Sequence, residues 1–534
     1  MSSAADAIRS AVSAVASGAS TKTEAILAVT AESLEQVLHA QFARGGAAVA
    51  SGLGASPGAA VGAVYFTPDG AVDAYDEGIA VILVKDETSP EDVHGMAIAE
   101  GILTTRGGLA SHAAVVARGW GKPAVCGVEA ITIANGSFTI GSVTVNEGDI
   151  ISLDGVSGEV FLGAVDTEAD DGVPTELFEL LDWADDIRAG VFGVRANVDT
   201  AADATKARAF GAEGIGLCRT EHQFLGGRLP VIRRAILATT DDESTEAFAQ
   251  LAELQEQDFL ELLEAMDGLP VTIRLLDPPL HEFLPELKDL LVAEAKGELD
   301  DEGKALLEAA LRTHEKNPML GTRGVRLGIL REGLFELQVE ALLRATRSRL
   351  VAGGHPIVEI MVPLVATRSE FTLVRSWIDA EVAAENEKLD APLEVTVGTM
   401  VETPRAALCA GEIGAAADFF SFGTNDLTQL TFGFSRDDVE AQIIPEYRRR
   451  GLLDANPFET LDVDGVGSLV RLAVEDGLAA SPDLKLGVCG EHGGDPASID
   501  FFVNAGLHYV SCSPYRVPVA RLAAAQSIIR RQAS

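Results

Sequence analysis

The chain has 534 residues, of which 47% are hydrophobic and 23% charged, a composition that suits two or three globular domains and argues against wholesale disorder. Its 81 acidic and 41 basic residues leave a formal charge of −40, which disfavours a nucleic-acid or anionic-membrane surface. Any anionic substrate must therefore be met by locally gathered arginines.

No apolar run reaches the ~18 residues of a membrane span. The N-terminus lacks the charged region and apolar block of a signal peptide. Cys126, Cys218, Cys409, Cys489 and Cys512 are scattered, with no CxxC pair, so a cytoplasmic chain with reduced thiols is expected.

Residues 1–48 read as a helical N-terminal segment. "TKTEAILAVTAESLEQVLHAQF" carries two short apolar periodic stretches, with Thr30 or Ser33 as caps, and is too short for a core of its own. Residues 49–165 alternate glycine-rich turns with the β-like runs "AVGAVYF", "IAVILVK", "SFTIGSVTV" and "DIISLDG". One helix is expected after Ser89, with Pro90 in its first turn and Glu91 and Asp92 at its positive end. A second is expected from about Ser111. The stretch describes a compact α/β domain with a mixed sheet. Residues 166–184, around the acidic, aperiodic "GAVDTEADDGVPTEL", read as a linker.

From 185 to 534, apolar strands alternate with longer helical runs: "FGVRANV", "GIGLCR", "VTIRLLD", "GVRLGI", "IVEIMVPLV", "VTVGTMVE", "FFSFGTND" and "LGVCGE". The alternation predicts a (β/α)8 TIM-type barrel, with "HYVSCSP" as a ninth candidate strand. Polar residues gather where the apolar runs end: Arg219, Arg274, Glu402, Asn425, Asp426 and Glu491. In such a barrel these ends share the face on which active sites are built.

On that face Glu402 and Asp426, from consecutive strands, with the adjacent amide of Asn425, form an oxygen-rich set suited to Mg2+. Arg219, Arg274, Arg323 and Arg436 offer planar donors for phosphate and carboxylate. The alternative is a ring of structural ion pairs. Cys489, ending a strand among glycines, is either a proton donor to an enolate carbon or a small buried hydrophobe.

"TRGGLASHAAVVARG" runs through Gly107 and Gly108 into a helix start at which free N–H groups favour an anion. His112 there is either a nucleophile that carries a phosphoryl group, with Arg106 as countercharge, or an ordinary residue of the first turn.

Taken together, "GGLASHAAVVARG", "GIGLCRTEHQF", "RLLDPPLHEFLP", "NPMLGTRGVRLGI", "GTMVETPRAAL", "FFSFGTNDLTQLTFGFSRDD", "GVCGEHGGDPASIDFF" and "YVSCSPYRVPVARLAAAQ" resemble, in order, the blocks of the phosphoenolpyruvate-utilising enzymes. The likeness is greatest to the dikinase members of that family. It is shared more distantly by the synthase and by enzyme I of the sugar phosphotransferase system.

The resemblance implies a swivelling phosphohistidine α/β domain followed by a phosphoenolpyruvate/pyruvate-binding barrel. It implies His112 as phosphoryl carrier and Cys489 as proton donor to the enolate carbon. Arg219, Arg274, Arg323 and Arg436 are implied as substrate arginines, Glu402 and Asp426 as Mg2+ ligands, and Gly423, Thr424 and Asn425 as residues lining the substrate. A homodimer through the barrel is implied as well.

Two departures stand out. Dikinases and the synthase open with a large ATP-grasp domain, whereas nothing of that size precedes residue 49 and no P-loop appears. A separate ATP-grasp nucleotide-binding subunit is therefore expected as partner, the N-terminal segment resembling the tail of such a domain. Ala110 stands where the family has a threonine two residues before the histidine, so that hydroxyl, and control through its phosphorylation, are expected to be missing. The alternatives are an enzyme I-like phosphotransferase serving a carrier protein, and a non-catalytic phosphoenolpyruvate-binding regulatory subunit. Against the former, the run from Gly52 to His112 is not interrupted by a carrier-docking helical domain.

Overall fold

The computed structural model describes residues 4–38, 42, 47–88, 92–108, 111–134, 136–167, 174–224, 228–238, 241–389, 392–440 and 443–533. By compactness the chain divides into two units. One comprises Met1–Val194, Thr428–Val463 and Glu491–Ser534, the other Arg195–Leu427 and Asp464–Gly490.

In the first unit, helices Ala4–Ala16, Lys22–Ala28 and Ala31–Leu38 have no core of their own. Ile8, Val12, Ile26 and Leu34 pack instead with Leu177, Leu180 and Leu181 and with Val519, Leu522 and Ile529 of the C-terminal helix Val517–Ala533. Thr21 closes a capping box with Glu24. Of the two expected caps it is Thr30 that accepts, from the Ser33 N–H at 3.2 Å.

The linker expected over 166–184 is helical in its second part, Thr175–Arg188. The acidic surface pattern hid an apolar face, Leu177, Leu180, Leu181 and Ala184, that the N-terminal helices cover. Arg521 pairs with Asp185 at its base, and Arg188 donates to the same carboxylate at 2.8 Å.

Strands β1 (Ala50–Ser51), β2 (Leu53–Ser56), β3 (Ala59–Tyr65), β4 (Val81–Lys85), β5 (Gly101–Thr104) and β6 (Ala124–Cys126) open the α/β domain. β7 (Ile131–Ala134), β8 (Ser137–Ile140), β9 (Val143–Asn146), β10 (Ile150–Asp154) and β11 (Glu159–Leu162) follow. Among the described residues these form a mixed sheet ordered β1-β11-β10-β3-β4-β5-β6-β2, and β7-β8-β9 form a second, antiparallel one. β3 to β6 pair in parallel and are apolar apart from strand-end residues such as Lys85 and Thr104, because both faces are covered. Val81 and Leu83 enter one core while Ile82 and Val84 enter the other, as the two-residue side-chain period requires.

The expected helix after Ser89 is observed as Val93–Ile98, while Ser89, Pro90 and Glu91 lie outside the described residues. The second expected helix is His112–Trp120, whose Ala113, Ala114 and Ala117 pack on β6 and β2.

The second architecture is the expected parallel barrel. Among the described residues, β12 (Gly193–Asn197), β13 (Ile215–Arg219), β14 (Pro270–Arg274), β15 (Ile357–Val362), β16 (Val395–Val401), β17 (Phe419–Phe422), β18 (Lys485–Val488) and β19 (Tyr509–Cys512) close in chain order. "GVRLGI", expected as a strand, is the helix Gly324–Leu330, and "HYVSCSP" supplies the eighth strand instead. Short apolar runs of either kind look alike by periodicity. At 324–330 tertiary contacts decide: the Gly324 N–H donates to Asp277 O at 2.7 Å, the Val325 N–H to Pro363 O at 3.1 Å, and Gly328 lies against the Phe335 ring.

Inside the barrel, Arg195 of β12 donates to Glu359 of β15 at 2.6 Å, with Thr272 of β14 at 2.6 Å and Lys485 of β18 at 3.2 Å on the same carboxylate. Burial opposes ionisation of Glu359, but Arg195 and Lys485 outweigh it and hold the carboxyl down at about 2. All five cysteines are free, and no helix among the described residues is long and apolar enough to cross a membrane.

Glu359→Gln leaves the buried Arg195 without its counter-charge and should destabilise the chain by about 3–5 kcal/mol in chemical denaturation. Because the folded value lies below the ordinary 4.5, the wild-type contribution is complete above that pH and disappears as pH falls toward about 2. An unchanged denaturation midpoint would exclude this role.

Candidate active site

Of the polar residues that end the barrel strands, Arg219, Arg274, Glu402, Asn425 and Asp426 lie in the second unit, while Glu491 lies in the other. Arg219 is the last residue of β13 and Arg274 the last of β14. Glu402 follows β16, Gly423 follows β17, and Thr424, Asn425 and Asp426 open helix Thr424–Phe432. Cys489 follows β18. Arg323 caps the start of helix Gly324–Leu330, so it reaches the cluster from a helix and not from a strand end.

Asp277 holds the centre. Arg323 donates to it twice, from Nη2 at 2.6 Å and Nε at 3.1 Å, and Arg274 Nη1 lies 2.8 Å from the same carboxylate. Arg323 Nη1 also donates to Asp426 Oδ1 at 3.1 Å, and Arg274 pairs with Glu221. Arg274 Nε is buried with no hydrogen-bond partner in the cluster, leaving a donor for a ligand. Burial disfavours the guanidinium charges, yet Asp277, Glu221 and Asp426 more than offset it, and both groups stay firmly cationic.

Glu402 is fully enclosed, its Oε1 accepting the Leu364 N–H at 2.6 Å. Burial, with repulsion from Asp426 and Asp277, pushes its carboxyl well above the usual range despite Arg323 and Arg274. Gly423 makes the approach possible, since a Cβ there would lie 2.8 Å from Glu402 Oε2. No group of three His, Cys, Asp or Glu side chains able to hold a metal exists among the described residues. The Glu402 and Asp426 carboxylates nevertheless suit a hard cation that takes one or two carboxylates and completes its shell with water and substrate oxygens. A cation there would also relieve their mutual repulsion.

Cys489 is 3% exposed, with its N–H donating to Phe422 O at 3.1 Å and its carbonyl accepting from Asn197 Nδ2 at 2.9 Å. Burial, aided by the Glu402 charge and opposed by a hydrogen bond with Ser421, pushes the thiol up to about 11. It is therefore a proton reservoir near neutrality.

The sequence reading did not single out Asp199, Glu221, Asp277 or Glu282. Asp199 accepts the Arg219 N–H at 2.7 Å, pairs with Arg219 Nη2 at 3.1 Å and meets His222 Nδ1 at 2.8 Å. Burial opposes its ionisation, but Arg219 and His222 hold it far below the carboxylate range. Glu282 keeps contact with solvent, yet crowding by protein on its other sides, together with Glu221, pushes it up to about 7. The rule that found the arginines, polar residues just past apolar runs, would also have found Asp199 and Asp277.

His112 and Arg436 belong to the other unit. His112 is the first residue of its helix, capped by Ser111, whose Oγ accepts the Ala114 N–H at 3.4 Å. Gly107, at φ +99°, provides the turn into it, a conformation that side-chain-bearing residues avoid. The His112 side chain and residue Ala110 lie outside the described part of the structure. Arg436 opens helix Arg436–Glu440, its guanidinium 5.6 Å over the Phe458 ring and its N–H donating to Gln429 Oε1 at 3.0 Å.

Residues 176–529 match the family model described as PEP-utilising enzyme, PEP-binding domain, and residues 79–158 match PEP-utilising enzyme, mobile domain. The chain belongs to the PEP-utilising enzymes. It is 49% identical over 538 residues to pyruvate, phosphate dikinase 1, chloroplastic, of Arabidopsis thaliana, covering 98% of this chain and 55% of that protein. It is 48% identical over 530 residues to the pyruvate, phosphate dikinase of Rhizobium meliloti (98% of this chain, 58% of the relative). With that of Entamoeba histolytica the identity is 47% over 537 residues (98% and 60%). The chain thus spans little more than half the length of these PEP-utilising relatives.

A buried, protonated Cys489 should react with iodoacetamide far more slowly than a free thiol at pH 8, with a rate that climbs toward pH 11. Fast labelling of Cys489 at neutral pH, read by peptide mass spectrometry, would contradict the assignment.

Proposed function

We propose that the chain catalyses the reversible, Mg2+-dependent transfer of a phosphoryl group between phosphoenolpyruvate and His112, giving pyruvate and phosphohistidine. The observation that carries this reading is the cluster in which Arg274, Arg323 and the Glu402 and Asp426 carboxylates converge beside a protonated thiol. Membership of the PEP-utilising enzymes supports it, as does a histidine at a capped helix start in the segment matching the mobile domain.

Arg219, Arg274 and Arg323 bind the phosphate and carboxylate of the substrate, the free Nε of Arg274 being one donor. Glu402 and Asp426 hold Mg2+, which when bound supplies charge neutralisation for the enolate and phosphoryl oxygens. Gly423, Thr424 and Asn425 line the substrate, and Arg436 is a further substrate arginine. An imidazole nitrogen of His112 attacks phosphorus; the N–P bond forms as the P–O bond to the enol oxygen breaks, leaving the enolate of pyruvate. Cys489 gives its Sγ proton to the methylene carbon, yielding pyruvate and a thiolate that solvent reprotonates. The thiol takes no part in the phosphoryl step.

Exchange of the phosphohistidine with nucleotide, the other half of a dikinase reaction, would need an ATP-grasp unit outside these 534 residues.

Incubation with phosphoenolpyruvate labelled in its phosphoryl group, with Mg2+, should label the wild-type chain at His112, and His112→Asn should take up none. Cys489→Ala should retain labelling while pyruvate appears about 10²–10⁴-fold more slowly. EDTA should stop both. Binding of phosphoenolpyruvate without labelling of the wild-type chain would refute the proposal in favour of a regulatory binding protein.

A further inference from the structure

Behind the substrate arginines lies a chain of three buried glutamines that no part of the chemistry above uses. Gln338 sits on helix Leu334–Val351 at 2% exposure. Its Oε1 accepts the Leu276 N–H at 2.9 Å, and its Nε2 donates to Thr220 Oγ1 at 3.1 Å and to Gln255 Oε1 at 3.3 Å. Gln255, on helix Asp241–Ala265, donates in turn to Gln223 Oε1 at 3.1 Å. The polarity of the relay is fixed, because the Leu276 N–H can only donate and so must meet the oxygen of Gln338. Both amide protons of Gln338 are then committed to the other two partners.

What the relay ties together matters more than its burial. Thr220 directly follows Arg219, while Leu276 lies between Arg274 and Asp277, the carboxylate shared by Arg274 and Arg323. One side chain from an outer helix thus clamps the Thr220 hydroxyl just past β13 to the Leu276 N–H just past β14. We infer that Gln338 is a positioning residue, setting the separation of Arg219 from the Arg274–Asp277–Arg323 group for the dianionic substrate. The inference rests on the functional reading above. A misplacement on the order of 1 Å among groups that must grip both ends of a small ligand is enough to lose ~10²-fold in rate.

The test compares Gln338→Met, which keeps the volume and removes every bond, with Gln338→Glu, whose oxygens still bridge the Leu276 N–H and the Thr220 hydroxyl. Gln526→Met serves as a control, since Gln526 donates to Ile26 O and Val29 O at 2.8 Å, bonds that serve packing alone. Phosphoenolpyruvate binding is measured by calorimetry in a His112→Asn background, and KM and kcat for pyruvate formation are measured in the active chain.

Gln338→Met should weaken binding and raise KM about tenfold or more with a smaller fall in kcat, and Gln338→Glu should recover most of that loss. Gln526→Met should lower the melting temperature and leave KM alone. If Gln338→Met does not fold, Thr220→Val, which keeps the branched shape but removes the hydroxyl that Gln338 holds, should still raise KM. Wild-type binding with unchanged KM in the folded variants overturns this inference alone. A wild-type chain that does not bind phosphoenolpyruvate overturns the functional reading and this one with it.

Discussion

Arg274, Arg323, Asp277, Glu402 and Asp426 are crowded together at the ends of the barrel strands, and that crowding governs the rest of the site. Two cations and three carboxyls share a volume from which most water is excluded, so each depends on its neighbours for its charge. Asp277 stays ionised because two guanidiniums face it. Glu402 is the member left over, repelled by Asp426 and Asp277 and only partly satisfied by the Leu364 N–H. A cation beside Glu402 and Asp426 would relieve that repulsion, and the proposed metal-chelated phosphate would bring one there. With a −40 charge over the whole chain, an anion is held by local gathering of donors such as these arginines.

Cys489 depends on the same crowding. Enclosure and the nearby Glu402 keep its proton on sulfur. Anionic groups that would deter a thiolate are harmless to a thiol, so the setting that raises Cys489 keeps it a protonated group near neutrality. The thiol and the Glu402 carboxyl therefore share one electrostatic setting.

Much of this was legible in the sequence. Parallel barrel strands, buried on both faces, read as apolar runs, and a polar residue that interrupts such a run is conspicuous, which is how Arg219, Arg274, Glu402 and Asp426 were found. Asp277 ends one of the same runs but gains its meaning from Arg323, 46 residues away, a pairing no local pattern carries. Gln338 is still less visible: a polar residue in an amphipathic helix reads as surface, and only its burial reveals otherwise. "GVRLGI" read as a strand because it is as short and apolar as the true strands, "HYVSCSP" among them, and what makes it a helix is the fit of Gly324 and Gly328 to distant neighbours. The stretch 166–184 was misjudged for the opposite reason, its acidic face concealing a packed one.

The ion cluster of Arg195, Glu359 and Lys485 bears on how the barrel finds its own alignment. Its members come from β12, β15 and β18, with Thr272 of β14 joining them, so the Glu359 carboxylate finds all its partners only when four strands are in mutual register. A slip of one residue in any of them would turn its polar group outward and leave another charge buried alone. Apolar side chains would tolerate such a slip, because one branched residue replaces another at little loss. The charges do not, and they favour the aligned barrel over mispaired ones that would leave a charge buried alone.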